Sequence, residues 1–165
     1  MTAASARRLW WLIGVIVVAD QLTKHWALNR LSRGRTIDIV GSLRFNLAYN
    51  KGMAFSQATG AGPIIGALAF VIVIGVVLWM RRSATGLAAL ASSMIVGGAV
   101  GNLVDRVFRN DAWFRGAVVD FIDLQWFPVF NVADSCITVG AVLMVLASLR
   151  TSRASNAVAQ GESDG

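Results

Sequence analysis

Acid–base chemistry in this chain falls to aspartate. Its 165 residues include one glutamate, Glu162 near the C-terminus, and one histidine, His25, against eight aspartates. The lone Cys136 excludes an intramolecular disulfide, no Cys/His cluster offers a metal site, and no HExxH, GxSxG or Ser/Lys pair stands in a persuasive context. No metal and no cofactor is expected. Two aspartates, Asp120 and Asp134, stand fourteen positions apart in GAVVDFIDLQWFPVFNVADS, where the chain turns from one apolar run into the next. Brought together, two carboxylates cannot both ionise easily, and one keeps a proton at neutral pH. The ionised member can draw a proton from water as it attacks a peptide carbonyl, and the protonated member can donate to the carbonyl oxygen. On one helix the pair would be about 21 Å apart and useless to each other. Pro128 disfavours helix at Phe127 and suits the start of a following helix, so the chain can fold back and set Asp120 beside Asp134. The same spacing fits two helix-end caps, and Asp123 competes with Asp120 as the acid.

The remaining aspartates divide by setting. Asp38 and Asp111 sit in polar loops and Asp164 in the tail. Asp20 and Lys24 are i and i+4 in the favourable acid-before-base order, and are expected to form a structural ion pair holding their helix to its neighbours. Asp105 and Arg106 end another apolar run, where a cap and an ion pair are expected.

The elements that must position these residues belong to a membrane. With 56% hydrophobic residues, 15% charged and a mean hydropathy of +0.62, the chain is too apolar for a soluble domain of its size. Four apolar runs, near Leu9–Leu28, Pro63–Met80, Gly86–Val104 and Val132–Leu149, approach the about 20 residues a bilayer core requires. Trp10, Trp11, Trp26, Trp79, Trp113 and Trp126 fall at their ends, where an indole can be buried and wet at once. Helix rise puts Asp20 about 17 Å into the first span and Asp134 about 24 Å from Arg150, close to the outer boundary. Basic residues flank both sides. The short turn RRSATG and the Arg7–Arg8 pair place both termini in the cytoplasm. Between the first two spans, residues 29–62 alternate as short strands, Thr36–Val40 and Leu43–Tyr49 about Gly41-Ser42, predicting a small external sheet. Residues 106–128 form a second external piece, an interfacial helix or hairpin. The expectation is one membrane domain over residues 1–150, mainly α, with a disordered tail over 151–165. The net charge of +6 is scattered around span ends, which points to anionic lipid and excludes nucleic acid as partner.

Five motifs in order carry a resemblance: ADQLTK at 19–24, NLAYNKGMAF at 46–55, GGAVGNLVDR at 97–106, VVDFI at 118–122 and FPVFNVADS at 127–135. Over about 115 residues the chain resembles the lipoprotein signal peptidases (signal peptidase II), membrane aspartic peptidases of bacterial lipoprotein maturation. The resemblance implies four transmembrane helices with a small extracytoplasmic β-sheet cradle in the bacterial inner membrane, and a monomer. It implies diacylglyceryl-modified prolipoproteins as substrates, cleaved on the amino side of the modified cysteine. It places the catalytic pair on Asp120 and Asp134, and substrate-binding or dyad-orienting positions on Asn50, Gly98, Asn102, Arg106, Asn131 and Ala133. The link Val107–Gly116 looks longer than the family pattern. A small proton-coupled transporter is the alternative, since it too would keep membrane aspartates and a lysine partner.

Overall fold

Each of the four apolar runs becomes a helix: α1 over Ala3–Arg30, α2 over Gly62–Ser83, α3 over Gly86–Phe108 and α4 over Val132–Ser163. The computed structural model describes residues 3–51, 62–83, 86–109 and 116–163. Among these, Gly86–Phe108 and Val132–Ser152 are long and apolar enough to cross a membrane. The continuous apolar part of α2 is shorter, Gly66–Met80. In α1 the second half carries Asp20, Gln21, Lys24 and His25.

Helix α3 is the centre of the bundle, between α1 and α4. Lipid is as apolar as leucine, so helices in it associate through close packing and polar contacts instead of water exclusion, and small residues let them approach. On α3, a Cβ at Gly97 would lie 3.0 Å from Ile16 of α1, one at Gly101 would lie 2.6 Å from the Asp20 carboxylate, and one at Gly98 would collide with the Ala133 carbonyl of α4. The Gly97/Gly101 spacing thus faces α1, and Gly98 faces α4.

Thr36–Val40 and Leu43–Asn50 form the expected strands, β1 and β2, joined at Gly41, whose φ of +56° favours glycine. The expectation for residues 106–128 needs correction. Helix α3 runs on through Phe108, and Val118–Asp123 is a strand, β3, on the far side of β2 in an antiparallel sheet of order β1-β2-β3. Its β-branched and aromatic residues suit a strand, and pairing removes an open edge from β2. A return follows in which Phe121 and Ile122 N–H both donate to the Phe130 carbonyl, at 3.0 and 2.8 Å. The hairpin reading holds there. Pro128 lies inside this return and Asn131 directly precedes α4, so the proline breaks the chain without beginning the helix.

Trp26 of α1 meets Phe45 of β2 edge-on at 5.2 Å and Phe121 of β3 at 6.1 Å, beside buried Ala27 and Leu31. This cluster seats the sheet on the C-terminal end of α1. Burying a phenylalanine contributes about 1.5–3 kcal/mol, so Phe121 is a substantial anchor for the strand that carries Asp120.

The tail expected to be disordered is instead helical to Ser163, continuous with α4. Low hydrophobicity argues against packing, but extending an existing helix needs no new nucleus, and this tail has three alanines and no proline.

Candidate active site

Asp120 lies mid-way along β3 opposite Ala48 of β2, and Asp134 lies in the first turn of α4. One residue, Asn131, joins them. Its Nδ2 donates to Asp120 Oδ1 at 2.6 Å. Its backbone N–H donates to Asp134 Oδ2 at 3.2 Å, and its Oδ1 accepts the Asp134 N–H at 2.8 Å. The last two bonds are a reciprocal capping box, with Asn131 as N-cap and Asp134 at the third helical position. Asp134 is therefore a helix cap, one of the expected alternatives, and its charge also reaches Asp120.

Asn102 of α3 completes the ring. Its Nδ2 donates to Asp134 Oδ1 at 2.7 Å, and its Oδ1 accepts from Asn131 Nδ2 at 3.1 Å and from Lys24 Nζ at 2.9 Å. From the end of β2, Asn50 adds a side-chain hydrogen bond to Asp120. Its Cα partner is Val118, two residues from Asp120 and so on the same face of the sheet.

Asp120 is 2% exposed. Burial, and next the charge of Asp134, push its carboxyl up from 3.8 to about 6, against the hydrogen bonds from Asn131 and Asn50 and the charge of Lys24. Asp123, the competing acid, is differently placed. It accepts from Arg44 Nε at 2.8 Å, Asn46 Nδ2 at 3.2 Å and Gln125 N at 2.7 Å. Those donors, Arg44 foremost, hold its carboxyl below the ordinary range. Asp123 locks the β2–β3 edge and its following turn.

The expected Asp20–Lys24 pair forms at 2.8 Å, with both side chains fully buried. Lys24 also pairs with Asp105 at 2.9 Å, which the sequence did not suggest. Asp105 further takes Arg109 Nε at 2.5 Å, Gln21 Nε2 at 3.1 Å and the Val119 N–H at 3.0 Å. The last bond ties α3 to the strand residue before Asp120. Arg106, expected to pair with Asp105, forms no such bridge among the described residues. Its guanidinium is 7% exposed, feels the charges of Asp120, Asp105 and Asp134, and keeps Nη1 buried without a hydrogen-bond partner.

Gly98 and Ala133, expected at the substrate groove, lie in the α3–α4 contact below the dyad. Gly98 abuts the Ala133 carbonyl, while Ala133 is fully buried and donates its N–H to Asp20 Oδ1 at 3.0 Å. Reasoning from the sequence missed Gln21, Arg109 and Gly116. Gln21 and Gly116 had a signal, one inside the first motif and the other a glycine just before β3, where its N–H donates to the Arg106 carbonyl. Residues 52–55 of the second motif and most of the link Val107–Gly116 lie outside the described residues. Among the described residues no group of His, Cys, Asp and Glu could hold a metal ion.

A helical bundle in lipid, capped by a small sheet and holding hydrogen-bonded carboxylates beneath it, is the architecture of a membrane enzyme. Two solved structures of bacterial membrane enzymes obtained by the in meso method are similar to it. One has a TM-score of 0.77 at 28% identity, covering 88% of this chain and 89% of the other. The second has a TM-score of 0.75 at 28% identity, covering 86% and 92%. The chain belongs to the signal peptidase (SPase) II family, whose sequence profile matches residues 12–150. It is 44% identical over 140 residues to the lipoprotein signal peptidase of Mycobacterium leprae, covering 84% of this chain and 69% of the relative. The corresponding protein of Rhodococcus jostii is 42% identical over 139 residues, covering 84% and 70%. It is a membrane peptidase, and the transporter alternative falls away.

Proposed function

We propose that this peptidase is of the aspartic type and removes signal peptides from prolipoproteins by cutting on the amino side of a diacylglyceryl-modified cysteine. The observation that carries the reading is the Asn131 bridge, whose side chain donates to the Asp120 carboxylate and whose backbone N–H donates to that of Asp134. Asp120, buried and with its carboxyl raised to about 6, acts as acid. Asp134 accepts two N–H donors at the positive end of α4, a setting that favours a carboxylate, and acts as base toward water. In the first step Asp134 takes a proton from water as the oxygen attacks the peptide carbonyl, and Asp120 protonates the carbonyl oxygen. Collapse of the tetrahedral species breaks the C–N bond as the leaving nitrogen takes up a proton from the dyad. Arg106 Nη1, a buried donor without a partner among the described residues, suits an incoming peptide carbonyl, since an unsatisfied buried donor costs about 1–3 kcal/mol until it is met. Asn50, at the exposed end of β2, suits the extended peptide itself.

In the same reading all four helices span the bacterial inner membrane with both termini cytoplasmic, and the protein acts as a monomer. The dyad then sits near the outer edge of the hydrocarbon core, so the scissile bond must be held at that depth. A signal helix alone does not fix its end to a few ångströms. Two acyl chains do, because each buried methylene contributes about 0.8 kcal/mol. The test is cleavage of one prolipoprotein with and without the diacylglyceryl group in the same detergent. Far slower cleavage of the unmodified form is expected, with the deficit in productive positioning. Equal rates would refute this substrate class.

A further inference from the structure

We infer that Lys24 is a positioning residue for the reaction: its ammonium fixes the Asn102 amide so that the amide N–H, and not the carbonyl, faces Asp134. This rests on the reading of Asp120 and Asp134 as the catalytic pair.

An asparagine amide is nearly symmetric in shape, and only its partners decide which end points where. At Asn102 the two ends have opposite consequences. Nδ2 toward Asp134 supplies a donor to a carboxylate at 2.7 Å; the flipped amide would set two oxygens against each other. Asn131 Nδ2, 3.1 Å from the same Oδ1, favours the first, and Lys24 enforces it because an ammonium has three donors and no acceptor. All three of its N–H groups are committed, to Asp20 Oδ2 at 2.8 Å, Asp105 Oδ2 at 2.9 Å and Asn102 Oδ1 at 2.9 Å. The two carboxylates hold the ammonium in place, and its third bond sets the amide.

The arrangement explains why a fully buried lysine occurs here at all. A two-residue ion pair would suffice to bind α1 to its neighbours, yet Asp20, Lys24, Asp105 and Arg109 form a neutral cluster of four charges, and the one bond Lys24 makes outside it leads to Asn102 and the dyad. The charged groups facing the dyad are Lys24 from α1 and Arg106 from α3, with the two aspartates themselves, while Asp20 and Asp105 stand behind the Lys24 ammonium. Hydrophobic packing alone would satisfy none of these groups, and removing Lys24 singly would leave two buried carboxylates, which is why the test must be charge-balanced.

The experiment compares three variants. Asp20→Asn/Lys24→Met removes one charge of each sign, leaves an oxygen at position 20 for the Ala133 N–H, and leaves Asp105 with Arg109, Gln21 and Val119. Asp20→Asn/Lys24→Gln differs from it only in restoring a neutral donor beside Asn102. Asp134→Asn is the control. The pH profile of kcat/KM is recorded for each on the lipidated substrate, because the shape of a profile does not depend on how much protein is folded. A dyad that loses a donor to its charged form takes up its proton at higher pH. The acidic limb should therefore move up, about tenfold in proton concentration for the Met variant and roughly threefold for the Gln variant. A limb superimposable on wild type in either variant overturns the inference and leaves Lys24 a purely structural charge. Activity in Asp134→Asn would instead remove the dyad reading beneath it, so the two failures are told apart.

Discussion

Asp120→Asn should end catalysis and at the same time stabilise the protein, and the stabilisation should appear only above about pH 4. The native site carries the Asp120 proton from an ordinary value of 3.8 up to about 6. In the unfolded chain the same carboxyl ionises at the ordinary value, so folding favours its protonated form. Whatever stability that preference gives is fully present below the unfolded value and is lost as pH rises toward 6. At about 1.36 kcal/mol per pH unit, the ionised carboxylate costs the native state about 3 kcal/mol at pH 8. Solvent does not dilute this figure, since the residue is 2% exposed. Asparagine is neutral throughout, and its Oδ1 can still accept from Asn131 Nδ2. Thermal melts of both proteins in one detergent at pH 4 and pH 8 check the reasoning. Near-equal midpoints are expected at pH 4, and at pH 8 the variant should melt roughly 6–12 °C higher, taking about 2–4 °C per kcal/mol for a chain of this length. An offset that is the same at both pH values, or a variant less stable at pH 8, would refute the claim that burial of a carboxyl is what the active site holds against folding.

Asp134→Asn should also abolish cleavage, yet lose at most about 0.5–2 kcal/mol, because its amide oxygen can still accept one of the two N–H groups of the cap; turnover within tenfold of wild type would remove Asp134 from the mechanism. Arg106→Ala should raise KM or lower kcat by at least tenfold with little change in melting temperature, since the guanidinium forms no bridge that folding would miss; parallel loss of fold and activity would make the arginine structural. Chelators, serine-directed reagents and Cys136→Ser should leave cleavage intact, and inhibition by exhaustive chelation would contradict water activation by carboxylates.

What the sequence made legible is what short-range patterns determine. The apolar runs located every helix, alternation about Gly41-Ser42 located β1 and β2 to within a residue, and the i, i+4 spacing of Asp20 and Lys24 gave their ion pair. Strand β3 was harder to see, because VVDFID is short, follows a polar link, and becomes a strand only when the edge of β2 is there to receive it. Long-range partners left no local trace. Nothing near Asp105 in sequence shows that Lys24 reaches it across the bundle, so its neighbour Arg106 was the natural expectation and the wrong one. Gly98 and Ala133 show the same limit: matching a motif marks a position as constrained without saying whether substrate or a neighbouring helix supplies the constraint. Here α3 and α4 approach closely at both positions.

In the proposed mechanism, capping and catalysis coincide at Asp134. A base in a hydrolytic pair must be held within a fraction of an ångström, and a side chain on a loop would have to be fixed by bonds serving no other purpose. At the third position of α4 the carboxylate is fixed by bonds the helix end requires in any case, since its first N–H groups lack partners within the helix. The positive end of the helix suits a carboxylate there, while burial on a strand raises the Asp120 carboxyl to about 6. Asn131 can serve both because its amide offers a donor to the strand and an acceptor to the helix, a division that aspartate or leucine at that position could not make.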